Sequence, residues 1–276
     1  MGAVTENRDL LAALRVEPGS PPGLERRDPG ARLGAAGKAA GVERLGELVE
    51  QLGVLQARLA AEATRALLLV LQGMDASGKD GTIRRVLTGV NPQGCRVVSF
   101  REPTRSELAQ DYLWRVHARC PARGELAIFN RSHYEDVVAA RVRALVPEHV
   151  WRRRYEHIRS FERLLSDEGT TVLKVFLHVS GAVQGRRLQE RLDSPEKRWK
   201  FRPADLDDRR RLPEYTAAYE EAIRETSTAW APWYVVPADH NWVRNLAVGA
   251  ILVQNLERLD PQLPPPDPGL EGLRIS

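Results

Sequence analysis

Between Leu69 and Thr82 the chain reads LVLQGMDASGKDGT: an apolar run, then G-x-x-x-x-G-K, then the start of a plausible helix. That order restricts the fold more than any other feature. Gly73, Gly78 and Gly81 let the backbone curl until successive N–H groups point at phosphate oxygens, and the helix N-terminus adds its positive end. Lys79 supplies a mobile charge to a phosphoryl group in transit. Ser77 and Thr82 fall where loop hydroxyls meet phosphate. Two acids depart from the common pattern. Asp80 stands where a Ser or Thr would hold Mg²⁺, and Asp75 sits inside the loop. A carboxylate beside phosphates needs a metal or a proton, and hard oxygen donors suit Mg²⁺, so Asp75 is the expected metal-holding acid.

Around this loop the pattern alternates. Short apolar runs at Ala66–Gln72, Cys95–Phe100, Glu125–Asn130, Thr171–Val179 and Trp233–Pro237 are the expected strands, and continuous ones such as ALLLVLQ and TVLKVFLHV suit burial on both faces. The stretches between them read as helices, two with capping-box signals at Thr104–Glu107 and Ser132–Glu135. Strand–helix alternation predicts an α/β doubly wound parallel sheet of five strands. Leu45, Leu48, Leu52, Leu55 and Leu59 recur at three- and four-residue steps, predicting a helix from Val42 to Arg65 packed on the domain. Residues 1–41 read as an arm, Gly- and Pro-rich from 18, and residues 42–259 as the catalytic domain. Residues 260–276 read as a Pro-rich tail. Cys95 and Cys120 lack metal-ligand spacing and read as reduced thiols, and no apolar run reaches the roughly 18 residues of a membrane span. A soluble cytoplasmic protein is expected.

Chemistry in a doubly wound sheet gathers at the carboxyl ends of the strands. The run ending at Asn130 continues Arg131-Ser132-His133-Tyr134-Glu135-Asp136. Asn130 occupies the place of an expected metal-binding acid and can contact phosphate or a metal-bound water. Arg131 can grip phosphate through its planar fork. Glu135 suits both helix capping and function, and His133 suits orienting or packing better than base catalysis. Further on, GRRLQERLDSPEKRWKFR reads as a helix, a break at Ser194, and a second helix from Pro195, the arrangement of a lid over about 184–210. Seven Lys or Arg side chains fall between Arg186 and Arg202, more than one triphosphate needs. A polyanion would use them.

GMDASGKDGTIRRV, VNPQGCRV, FNRSHYEDV and RLQERLDSPEKRWKF, in this order, resemble the family-2 polyphosphate kinases from about Val42 to Leu259. The resemblance implies a P-loop, three-layer α/β/α fold with a helical lid and an N-terminal helical extension. It implies transfer of the terminal phosphoryl group of inorganic polyphosphate to ADP, and to AMP, in a reversible reaction. Mg²⁺ is implied as cofactor, with Mn²⁺ able to replace it, and homodimers or homotetramers as the assembly. Adenine nucleotides, with guanine nucleotides as a further option, are the implied partners. Asp75, Lys79 and Arg131 are implied as catalytic, and Arg187, Arg191, Lys197, Arg198 and Lys200 as grips on the polyphosphate chain. Many members carry Asp at the place of Asn130; Glu135 and Asp136 are then the acids expected to join Asp75 at the metal. Two other classes share parts of the pattern. An ATP-dependent nucleoside monophosphate kinase of the thymidylate kinase type has the loop and lid but no need of so long a basic segment. A nucleic-acid module would interleave stacking aromatics, which make up only 6% of this chain.

Overall fold

The computed structural model describes residues 11–268, 270 and 273–274. Its strands are β1 (Arg15–Val16), β2 (Ala66–Gln72), β3 (Cys95–Ser99), β4 (Leu126–Asn130), β5 (Thr170–His178) and β6 (Trp233–Pro237). They lie side by side in the order β1-β6-β5-β2-β4-β3. The apolar runs decide this arrangement: every residue of β2 and β6 is buried, so neither strand can face water on one side. β2 sits between β4 and β5, parallel to both, pairing Leu69 with Ile128 on one side and Leu173 on the other. Its carboxyl end, and therefore the phosphate loop, is fixed by two neighbours.

The main helices are α1 (Lys38–Glu62), α2 (Lys79–Val86), α3 (Glu148–Asp167), α4 (Gly181–Asp193), α5 (Pro203–Arg210), α6 (Leu212–Thr226) and α7 (Asn241–Leu259). The leucine stripe of α1 is buried in full and packs within the subunit against α7. Close approach is needed: a Cβ at Gly249 of α7 would stand 3.2 Å from Leu45 Cδ1. Each of these leucines contributes about 1.5–3 kcal/mol of burial. No helix among the described residues is long and apolar enough to cross a membrane.

Two features differ from expectation. The five parallel strands are joined by a sixth, antiparallel one, because Arg15 and Val16 pair with Tyr234 and Trp233. The arm is irregular as expected over most of 18–37, but it is firmly seated. Leu11, Leu14, Val16 and Leu24 are buried, and the Glu220 carboxylate accepts from the amides of Gly23 and Leu24, each at 2.8 Å. The second difference lies in the lid. Its second helix, α5, starts at Pro203, and Ser194–Lys197 forms only a turn leading into a 3-10 turn at Arg198–Lys200. Arg202, preceding a proline, is held extended (φ −122°, ψ 145°), so no helix can run through it. Pro203 then begins a new one, with Asp205 accepting from the Arg202 amide at 3.4 Å.

Candidate active site

The phosphate loop leaves β2 at Gly73 (φ 149°) and enters α2 at Lys79, with left-handed turns at Ala76 (φ 62°) and Gly78 (φ 103°). Ser77 is fully buried, its amide donating to the Met74 carbonyl at 3.1 Å. The first amides of α2 have no partner within the helix and open toward the loop's hollow. Lys79 is only 8% exposed; its ammonium donates to the carbonyls of Gly73 (2.6 Å) and Met74 (3.2 Å). Burial, then the charge of Arg131, lowers its pKa to about 8, against the opposing pull of Asp75 and Glu135.

β4 delivers the second group. After Asn130, Arg131 takes a left-handed backbone (φ 63°), unusual for a residue with a side chain and a sign of local strain. Its amide stays bonded to the Leu71 carbonyl at 3.1 Å, so the turn is tied to β2. Its guanidinium donates to Asp75 Oδ1 and, at 3.4 Å, to Glu135 Oε2. Burial alone would raise the Asp75 carboxyl, but Arg131, Lys79 and Arg191 outweigh it and hold that carboxyl below its ordinary value. Glu135 is therefore turned to the crevice and caps nothing. The Ser132 hydroxyl accepts from the Tyr134 amide instead, opening a 3-10 turn from His133 to Asp136, so the expected capping box is absent there. The box at Thr104–Glu107 does form.

Beneath this turn lies a buried polar cluster. Glu162 and Lys174 are both fully buried and paired, Tyr134 donates to Glu162 at 2.9 Å, and His133 Nε2 lies 3.4 Å from the same carboxylate. Lys174 and His133 hold the Glu162 carboxyl below its ordinary value although burial works the other way. His133 is thus a packing and orienting residue. The sequence offered one signal for this cluster, a lone lysine inside the apolar run TVLKVFLHV.

The remaining candidates separate into three places. Asp80 stands at the mouth, its carboxylate accepting from Asn130 Nδ2 (2.8 Å) and from the lid's Lys200 (3.3 Å). Arg191 reaches Asp205 at 3.5 Å and faces the same crevice, while Lys197 and Arg198 stand exposed to solvent. Asp136 is directed elsewhere: its carboxylate lies 3.7 Å from Arg154, and burial raises its pKa. It does not meet Asp75, because the 3-10 turn points successive side chains apart. Arg187, expected on the polyphosphate, donates instead to the carbonyls of Ala76, Ser77, Ala238 and Asp239. The Thr82 hydroxyl accepts from Arg244 at 2.6 Å, a buried arginine that the reading of the sequence passed over. Its only signal is a polar cluster, Asn241, Arg244 and Asn245, at the head of a helix that then runs apolar from Leu246 to Val253.

As a metal site, the crevice offers two carboxylates, Asp75 and Glu135, brought together by Arg131. Among the described residues no group of three or more His, Cys, Asp or Glu is assembled to cage an ion. This donor set fits Mg²⁺, which keeps several waters and commonly takes one or two carboxylates plus substrate phosphates.

The family model described as Polyphosphate kinase 2 matches residues 36–264. An AMP/ADP-polyphosphate phosphotransferase of Meiothermus ruber is 58% identical over 267 residues, covering 96% of this chain and all of its own. An ADP-polyphosphate phosphotransferase of Rhodopseudomonas palustris is 43% identical, covering 82% of each chain. The crystal structure of polyphosphate kinase 2 from Arthrobacter aurescens TC1 superposes with a TM-score of 0.89 at 39% identity, over 94% of this chain and 92% of that one.

Proposed function

The chain belongs to the polyphosphate kinase 2 family, and on that premise we propose that it transfers the terminal phosphoryl group of inorganic polyphosphate to ADP and to AMP, reversibly. The observation that carries this reading is the convergence of Lys79, Asp75, Arg131 and Glu135 at adjoining strand ends. Phosphoryl transfer asks little covalent chemistry of a protein; it asks for positioning and charge. A terminal phosphate oxygen of the acceptor nucleotide attacks the end phosphorus of the chain. The bond from that phosphorus to its bridging oxygen breaks, and polyphosphate one unit shorter leaves. Lys79 and Arg131 neutralise the equatorial oxygens. Asp75 and Glu135 would hold Mg²⁺, or Mn²⁺ in its place, and the ion would supply further neutralisation of phosphate charge. Arg191 and the lid's Lys197, Arg198 and Lys200 take the leaving chain. A phosphoanhydride is exchanged for a phosphoanhydride, so both directions are open.

Guanine nucleotides as further acceptors, a homodimeric or homotetrameric assembly and a cytoplasmic setting belong to the same proposal, with no nucleic-acid or membrane partner. The test is a coupled assay with purified protein, Mg²⁺ and polyphosphate, giving AMP or ADP as sole nucleotide. ATP is expected from ADP, and ADP from AMP. Silence with both, beside turnover of AMP with ATP as donor, would overturn it.

A further inference from the structure

Arg187 on α4 and Arg244 on α7 meet behind the phosphate loop. Arg244 donates to Thr82 Oγ1 (2.6 Å), the Ser77 carbonyl (3.2 Å) and the side chains of Asn241 and Asn245. Arg187 reaches the same Ser77 carbonyl at 3.3 Å and shares Asn241 with it. All these acceptors are neutral. Asp239 and Glu190 act on Arg187 only through space, the Asp239 carboxylate being engaged by the Ser180 amide, while the one charge felt at Arg244 is that of Arg187. Burial, then this neighbour, brings the Arg244 pKa down to about 10. Lys174, buried as deeply, has Glu162 beside it. Arg244 is buried and Arg187 half-buried, and among the described residues no carboxylate lies within ion-pair distance of either; cations so placed are costly to keep in a free protein.

The point of contact gives the arrangement its meaning. In a trans peptide the carbonyl and the following N–H point in opposite directions. Two guanidiniums on the Ser77 carbonyl therefore turn the Gly78 N–H the other way, into the hollow of the loop. Gly78 is built for this neighbour: a Cβ there would stand 2.0 Å from Arg244 Nη1, and one at Gly81 would stand 3.4 Å from Nη2. These glycines admit an arginine behind the loop as well as a phosphate in front of it.

We propose that Arg187 and Arg244 are positioning residues for polyphosphate: they fix the Ser77–Gly78 peptide with its N–H toward the bound phosphate, and that phosphate is the anion their two charges lack. The proposal rests on the reading of the site as a polyphosphate site. It makes the free protein and its complex respond oppositely to loss of the charge, which a purely structural arginine would not do.

The experiment uses the full chain with Arg244→Gln and Arg244→Lys, and inorganic tripolyphosphate as probe. Melting is followed without ligand, tripolyphosphate binding by calorimetry, and kinetics with polyphosphate and ADP. Arg244→Gln is expected to melt no lower than the parent, to bind tripolyphosphate at least about tenfold more weakly, and to raise the polyphosphate KM more than it lowers kcat. Arg244→Lys should recover most of the affinity. Arg187→Gln, which leaves Arg244 on Thr82, should give the same pattern and serves as the second readout if Arg244→Gln does not fold. A variant that melts lower yet binds tripolyphosphate as the parent does would overturn the inference and leave the transferase reading standing. A parent protein that binds no tripolyphosphate would overturn both.

Discussion

Lys79 in the phosphate loop and Lys200 in the lid both stand near the acids of the crevice, but they hold their charge in opposite ways. Lys79 is stripped of water and fixed on two carbonyls of its own loop. Lys200 is exposed, meets Asp80 at 3.3 Å, and neighbours Trp199, which is 74% exposed. The loop's cation is positioned before any substrate arrives, so its field is strong and needs no reorganisation. Lys197, Arg198 and Lys200 of the lid are exposed to water, and must give up side-chain freedom and water when they close on an anion. Catalytic rate should therefore depend on the loop, and affinity for a long anion on the lid.

The largest effect should come from Lys79→Ala, lowering kcat by at least ~10²–10³-fold with little change in melting temperature. Residual kcat near the parent's would erase the distinction between loop and lid. Next comes pH. In the free enzyme Lys79 loses its proton near pH 8, so kcat/KM for polyphosphate should fall above that pH, while the limb in kcat lies higher because bound phosphate favours the ammonium. Stability moves the other way. Between about 8 and 10.5 the unfolded chain binds the extra proton, so the penalty of burying this charge, full below 8, fades as pH rises and the fold gains stability. A kcat/KM profile flat to pH 10 in the parent would place the working cation elsewhere. The smallest effects belong to Lys197→Ala, Arg198→Ala and Lys200→Ala taken singly. Each should raise the polyphosphate KM by roughly two- to fivefold, less at high salt, with kcat nearly unchanged. A kcat loss for Lys200→Ala as large as that for Lys79→Ala would mean that the lid lysine is as fixed as the loop's.

The same contrast explains what could be read from the sequence. β2, β4, β5 and β6 announced themselves because strands buried on both faces must be continuously apolar, and the loop because its glycines carry a backbone requirement. The lid's helix start was misplaced because Ser194-Pro195 and Arg202-Pro203 are both lawful beginnings, and only tertiary context chooses between them. β1 was missed because a two-residue edge strand has no period to detect. The setting of Arg187 was hidden for a deeper reason: an arginine in a basic row does not reveal whether its donors are free or already spent on carbonyls. Arg244 was overlooked because burial of a charge at the head of a helix is settled by what lies opposite it.

β1 also bears on how the molecule is made. Arg15 pairs with Tyr234, so nearly the whole length of the described chain separates the two sides of this short ladder. Until β6 has been synthesised and docked, Arg15–Val16 has no partner; until the arm arrives, the free side of β6 presents unpaired backbone groups to any other chain nearby. Closing that edge is a late, long-range event, and crowded nascent chains would be most exposed to mispairing in the interval before it.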